Sequence, residues 1–428
     1  MMGHKMYELI KEIFPICRSI TGNGVRRTLE ILKEYAPSIC IREVPSGTQV
    51  FDWNVPAEWN IEDAYVENEA GERVIDFQQS NLSVVGYSYP MDEIMELEDL
   101  KKIIHTQPEQ PDVIPYVTSY YKKYSGFCMP QKKYDELKPG KYHAVIKSTI
   151  NPEGSLTYGE AYIQGESDKE ILISTYVCHP SMANNECSGP AVSVFLQKYI
   201  ESLPKRKYSY RFIYIPETIG SITYLSKHYM ELKEKTVAGL NLSCVGDNYT
   251  YSFVQTRYGK TITDKLLHNL LSFYYPQYNA YSFLERGSDE RQFCAPGIDL
   301  PVCTVCRTKY GKYKEYHTSA DDLNFISPEG LAGTLELLKL FVQAMENNGS
   351  YKIKCLCEPQ LGKRGLYPTI SQKGSYNEVK AMTDLIAYSD GSNDLIDISN
   401  IISVPIEKLI PIVEKLMACD LLEKIDEC

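Results

Sequence analysis

Hydrophobic positions along the chain change period from block to block. From about residue 169 to 348, short unbroken apolar runs alternate with longer segments at helical spacing. EILISTYVC (170–178), YSYRFIYIP (208–216), VAGLNLSCV (237–245) and LPVCTVC (300–306) carry too little polar alternation for half-exposed strands and predict buried ones. GPAVSVFLQKYIESL (189–203), IGSITYLSKHYMELK (219–233), KTITDKLLHNLLSFY (260–274) and PEGLAGTLELLKLFVQAM (328–345) predict helices. Such alternation predicts an α/β domain with a mostly parallel sheet flanked by helices. Ser327 before Pro328 marks the start of the last helix, an N-cap hydroxyl followed by a residue of fixed φ.

The flanking regions have other textures. The first 45 residues read as helical, with MYELIKEIFPICRSI and VRRTLEILKEYA separated by Thr21-Gly22-Asn23-Gly24. Residues 46–165 read as short strands and turns: TQVFDW, AYVEN, a turn at 69–72, RVIDF, LSVVGYSY, and Pro-rich breaks at 108–115. There KYHAVIKSTI and SLTYGEAYIQG predict a hairpin about a turn at Asn151–Gly154. A β-rich domain (46–165) inserted into an α/β domain (1–45 and 166–350) follows. In residues 351–428, YNEVKAMTDLIAYSD, NDLIDISNII and PIEKLIPIVEKLMACDLLEKI have the order of a winged-helix domain.

Composition narrows the function classes. At 428 residues, 43% hydrophobic and 24% charged, the chain is neither disordered nor fibrous. Against 45 basic residues stand 56 acidic ones, a net charge of -11, and no Lys/Arg run interrupts that field. A nucleic-acid partner is therefore not expected, and the tail reads as a structural or protein-contact element, with homo-oligomerisation as the base expectation. No apolar run reaches the roughly 18–20 residues of a membrane span, and MMGHKMYELIKEIF lacks a secretory apolar core, so a cytoplasmic address is expected. Thirteen cysteines, an odd number, suit reduced thiols. Thirty-four tyrosines suit cores and polar pocket walls. GxGxxG, P-loop and GxSxG patterns are absent.

Candidate chemistry clusters after the ends of the predicted strands, where open α/β sheets build their sites. His179, Glu217, Asp247 and His317 follow the four strands in order, with Glu186 in the loop after His179. Imidazoles and carboxylates converging in this way suit a catalytic Zn²⁺ with a spare Glu to deprotonate water. Singly, each has a plainer role as a loop hydrogen-bonder, a helix N-terminal carboxylate or a turn residue. Cys303 and Cys306 would face opposite sides of a strand, Cys178 and Cys187 read as packing, and Ser188 reads as an N-cap.

The order of these segments resembles the co-catalytic zinc aminopeptidases. The matching text is Ala183-Asn184-Asn185-Glu186-Cys187-Ser188-Gly189, Glu217-Thr218-Ile219-Gly220, Asn241-Leu242-Ser243, Ser288-Asp289-Glu290-Arg291-Gln292-Phe293 and Tyr316-His317-Thr318-Ser319-Ala320-Asp321. CRSITGNGVRRTL, VFDWNVPAEW, CHPSMANNECSGP, IPETIGS and EPQLGKRGLYP extend the resemblance over nearly the whole chain. They point to a bacterial group of aminopeptidase-like proteins with an inserted β domain and a C-terminal winged helix, often linked to polysaccharide biosynthesis. The resemblance implies a zinc-exopeptidase-like sheet, His179 and His317 as metal ligands and Glu217 as general base. It puts Asn185 at the bridging Asp, Thr218 at the second Glu and Ser243 at the strand-end Asp.

With those anions missing, one zinc is expected rather than two, held by His179, Glu186 or Asp247, and His317. Asp289 would support the site from behind, Arg286 or Arg291 would clamp a substrate carboxylate, and Asp321 closes the last motif. The implied activity is hydrolysis of a peptide or N-acyl amide in a small molecule or short peptide. The alternative is a catalytically reduced binding or scaffold protein.

Overall fold

The computed structural model describes residues 2–366 and 375–425. The chain forms two compact units, one of residues up to 261 together with 279–335, the other of 262–278 together with those from 336 on.

The first unit is organised by an eight-stranded sheet. Its strands are β1 (Cys40–Pro45), β2 (Ser155–Ile163), β3 (Glu170–Tyr176), β4 (Ser209–Ile215), β5 (Thr236–Leu242), β6 (Ser252–Val254), β7 (Asn279–Tyr281) and β8 (Val302–Cys306), in the spatial order β1-β2-β4-β3-β5-β8-β6-β7. The central pairings β4/β3, β3/β5 and β5/β8 are parallel, as is β6/β7, while β1/β2, β2/β4 and β8/β6 are antiparallel. β3, β4 and β8 are buried at every position, which is why their sequences are unbroken apolar runs. Helices Ser188–Ser202 and Ile219–Lys235 flank the sheet. Leu172, Ile213 and Val302 pack in one cluster with Ile222, Tyr224 and Leu225.

Several local expectations are corrected. Residues 40–45 are a strand, not the end of a helical segment, because they pair with β2 at the sheet edge. LSVVGYSY is no strand but a 3₁₀ turn at Asn81–Ser83 followed by isolated bridges. The segments around Asn151–Gly154 are not a hairpin. Lys141–Asn151 joins Glu58–Asn68, Arg73–Asp76 and Met91–Glu96 in a separate four-stranded sheet over its own core of Ala64, Val66, Ile75, Ala144 and Ile146, whereas β2 enters the central sheet. Both strands alternate in polarity, and alternation alone does not choose a partner.

In the second unit, Ser350–Ile353 is the middle strand between Asp390–Asp394 and Leu422–Ile425, with helices Ser375–Tyr388, Leu395–Ile402 and Ile406–Ala418. That is a winged-helix arrangement. Helix Ile262–Tyr274, expected in the α/β series, belongs to this unit. Asn269 Nδ2 donates to Ser399 Oγ at 2.8 Å and Lys265 pairs with Asp397 at 2.8 Å. Tyr367, Pro368 and Cys428 lie outside the described residues. Among the described residues no helix is long and apolar enough to cross a membrane.

Candidate active site

The loops that leave the C-terminal ends of β3 and β4 bring His179 and Glu217 together. Val177 N bonds Ile215 O at 2.9 Å, extending the register past the strands, and Glu217 N donates to Cys178 Sγ at 3.2 Å. His179 Nε2 then lies 3.6 Å from Glu217 Oε2. After His179 the chain makes a tight π-turn, Ala183–Cys187, before helix Ser188–Ser202. Asp321 holds this turn: its carboxylate accepts from Asn184 N at 2.6 Å and Asn185 N at 2.9 Å, and its carbonyl accepts from Ala183 N at 2.8 Å. Ser188 is the first helical residue rather than the N-cap, and its hydroxyl donates to Asn184 O at 2.5 Å while accepting from Val245 N at 2.9 Å. Gly189 has no room for a side chain, since a Cβ would stand 2.3 Å from Thr175 Oγ1 and 2.7 Å from Leu242 O.

Glu186 lies directly behind His179. Its Oε2 lies 2.9 Å from His179 Nδ1 and its Oε1 lies 3.6 Å from Arg18 Nε, both groups being fully buried. A carboxylate at Nδ1 fixes the tautomer and leaves Nε2 free toward Glu217, so in this arrangement Glu186 orients His179. Burial works against a charge on His179, but Cys178 and Glu186 outweigh it and hold the imidazole's proton affinity above the usual range. The Cys178 thiol, pushed up to about 11 chiefly by burial, stays protonated, which leaves Glu186 as the effective partner. Cys178, His179 and Glu186 do bring ligand atoms within 4.8 Å of one another. Without a metal the trio is joined by hydrogen bonds, His179 Nδ1 lying 3.4 Å from Cys178 Sγ and 2.9 Å from Glu186 Oε2.

Arg18 is the residue that sequence reasoning missed. Its guanidinium donates to His179 O at 2.9 Å, Ile13 O at 2.5 Å and Thr28 Oγ1 at 3.3 Å, tying the N-terminal helices to the loop that carries His179.

His317 arrives from the far side in a left-handed conformation, φ 55°. Its carbonyl accepts from Tyr116 N at 2.9 Å, its ring stacks on Tyr316 at 3.8 Å, and its centroid is 5.5 Å from that of His179. Two imidazoles bound to one tetrahedral zinc put their centroids about 5 Å apart, so the spacing fits a shared ion. Burial, reinforced by His179, pushes the pKa of His317 down to about 3, so the ring is neutral. Among the described residues its Nε2 is buried without a hydrogen-bond partner, and so is Asn185 Oδ1. Asn185 Nδ2 meanwhile donates to Tyr176 OH at 2.8 Å, and the Tyr176 ring lies 5.2 Å from His179. Orphaned buried acceptors are costly. Glu186 Oε1 and Asp289 Oδ2 are likewise buried without a hydrogen-bond partner among the described residues.

The remaining expectations divide. Asp247 is not a ligand, because Asn184 Nδ2, Tyr249 N, Thr308 N and Thr308 Oγ1 donate to its two oxygens at 2.7–3.1 Å, and it serves as a loop anchor. Asp289 lies behind Glu217. Its Oδ1 accepts from Thr218 N and Ser221 Oγ, both at 2.8 Å, while burial and then Glu217 push its carboxyl up to about 7. Burial also raises Glu217, against the pull of His179. Arg291 Nη2 donates to Thr218 Oγ1 at 2.6 Å, and Arg286 lies away from His179 in a separate cleft. Ser243 hydrogen-bonds Tyr176 OH at 2.6 Å. A cavity of about 280 Å³ opens on His179, Glu217 and Thr218, walled by Ile20, Trp53, Tyr120 and Tyr121.

Comparison with known proteins bears on the family and the fold. A family model described as Domain of unknown function (DUF4910) matches residues 7–348, and a winged helix-turn-helix model matches residues 349–424. A Clostridium acetobutylicum protein, provisionally named a polysaccharide biosynthesis protein with an aminopeptidase-like domain, is 48% identical over 399 residues, 93% of this chain and 91% of its own. A crystal structure from Clostridium acetobutylicum, provisionally described as a peptidase, is 45% identical with a TM-score of 0.93, over 99% of this chain and 96% of that one. A zinc aminopeptidase from Bacillus subtilis shares the fold at a TM-score of 0.58 and 13% identity, over 78% of this chain and 93% of that one.

Proposed function

The chain belongs to the family described as Domain of unknown function (DUF4910), built on the zinc-aminopeptidase fold, and from that premise we propose that it is a zinc-dependent hydrolase of an amide bond, peptide or N-acyl, in a small substrate of polysaccharide or modified-sugar metabolism. The observation that carries this reading is the pair of buried, unsatisfied atoms, His317 Nε2 and Asn185 Oδ1, beside an imidazole whose other nitrogen is already spoken for. His179, His317 and Asn185 would hold one ion. Bound there, zinc would supply Lewis-acid polarisation of the scissile carbonyl and of water.

The protein's own groups do the rest. Glu217, raised in proton affinity by burial and 3.6 Å from His179 Nε2, takes the proton of the attacking water and returns it to the leaving amine. Glu186 and Arg18 keep His179 in place, and Asp321 keeps the Asn185 turn in place. Trp53, Tyr120 and Tyr121 confine the substrate to a cavity of about 280 Å³, which favours a residue-sized group at the reacting end. The free cysteines among the described residues suit work in a reducing cytoplasm.

Glu217→Gln tests the chemistry, assayed on a panel of aminoacyl and N-acyl amides. Hydrolysis should fall by about 10²–10⁴-fold while zinc content and unfolding midpoint stay at wild-type values. A variant that keeps the wild-type rate removes Glu217 as the base. A wild-type protein that binds zinc and turns over no amide favours the binding or scaffold role suggested by Asn185, Thr218 and Ser243.

A further inference from the structure

A second cleft of about 600 Å³ has three arginines in its lining, Arg257, Arg286 and Arg291. Arg291 links it to the catalytic cavity, since its guanidinium donates at 2.6 Å to Thr218, which lines that cavity. In a chain of net charge -11 arginines have many acidic partners to choose from. Yet the hydrogen bonds of Arg286 and Arg291 go to neutral oxygens: Phe283 O at 3.1 Å for the first, Ser288 O at 3.0 Å and Thr218 Oγ1 for the second. Glu285, next to Arg286, is turned to Lys312 at 3.1 Å. Arg257 pairs with Asp299, but its Nε is buried without a hydrogen-bond partner. Among the described residues the cleft thus holds two guanidinium groups with no carboxylate at ion-pair distance, although Arg291 also feels the Glu217 and Asp289 carboxyls, plus one unsatisfied donor of a third.

Position 218 adds to the asymmetry. Thr218 is neutral and has the Arg291 guanidinium against it. At this point between the two cavities an anion meets attraction and no carboxylate at position 218. Guanidinium forks match phosphate and carboxylate oxygens in pairs, and a recess lined by one sign of charge concentrates the opposite ion.

We propose that this cleft is an oxyanion subsite, and that the substrate is an anionic molecule. Its phosphate or carboxylate lies among Arg257, Arg286 and Arg291, and its amide lies at His179 and Glu217. The second half rests on the hydrolase reading; the anion binding does not.

The test is calorimetric titration of the full chain with inorganic pyrophosphate and, separately, with citrate, at low and at physiological salt. The wild type and the variants Arg286→Gln, Arg291→Gln, Arg286→Lys and His179→Ala are compared after their folding has been checked by circular dichroism. Binding should weaken with salt, fall by about 10-fold or more in each Gln variant, recover in part in Arg286→Lys, and be unchanged in His179→Ala. Tighter binding of pyrophosphate than of citrate identifies a phosphate-bearing substrate, and the reverse order a carboxylate-bearing one. Absence of binding by both anions at low salt, or Gln variants that bind like the wild type, overturns the proposal. Arginine-dependent binding by a chain that never holds zinc would overturn the hydrolase reading and leave the subsite standing.

Discussion

Replacing Arg18 by Met keeps most of the side-chain volume and removes the guanidinium from a fully buried position. The cost follows from what it touches. Glu186, 3.6 Å away and 1% exposed, loses its guanidinium counter-charge, and stranding one member of a buried pair costs about 3–5 kcal/mol. Ile13 O and His179 O lose donors at 2.5 and 2.9 Å, and counting only one of them as truly orphaned adds about 1 kcal/mol. The expected loss is therefore about 4–6 kcal/mol.

Urea unfolding followed by tryptophan fluorescence reads it directly, because Trp59 is buried in the core of the same unit. The double variant Arg18→Met/Glu186→Gln should recover about 1–3 kcal/mol by removing the stranded charge. A single-variant loss under about 1 kcal/mol, or a double variant no more stable than the single, would refute the claim that a buried charge contact anchors the His179 loop.

In the metal-free protein Asp289 and Asp321, each raised from 3.8 to about 7, should contribute stability that is present below about pH 4 and lost as pH rises through about 7, on top of the opposite slope that His317, lowered to about 3, gives below about pH 6.5. Asp289→Asn, neutral at every pH, should remove its part of the falling slope in urea midpoints at pH 5 and pH 8 and leave the Asp321 part; a variant slope equal to the wild type would contradict it. Asn185→Asp puts an anion at the orphaned oxygen and should tighten zinc binding by about 10-fold or more, read by competition with a chromophoric chelator. Unchanged affinity would mean that position 185 does not face the ion.

The central strands and their helices were legible because β3, β4 and β8 are buried throughout and so carry an unbroken apolar signal. β6 and β7, three residues each, are too short for any period. β2 has a strand's alternation, but its partners lie more than a hundred residues away at Cys40–Pro45 and some fifty residues on at Ser209–Ile215, which local pattern does not encode. In the site, His179, Glu217 and His317 were readable from their places after strand ends. Asp247 was misassigned because sequence says where a carboxylate sits and not what donates to it: Asn184, Tyr249 and Thr308 claim it, and in the same way sequence does not show that His179 and Arg18 contact Glu186. Arg18 left a single trace, a charge in the small and apolar segment between the first two helices, and its partner Glu186 is far along the chain.

Zinc stoichiometry tests the central claim most directly, measured by elemental analysis on chain purified without chelator and then supplied with zinc, beside His179→Ala, His317→Ala and Glu186→Gln. One ion per chain is predicted, absent in both His→Ala variants and held more weakly in Glu186→Gln, whose contact with Nδ1 lies behind the ligand. A chain that takes up no zinc, or takes it up equally well without His179 and His317, would contradict a metal site built on those two imidazoles.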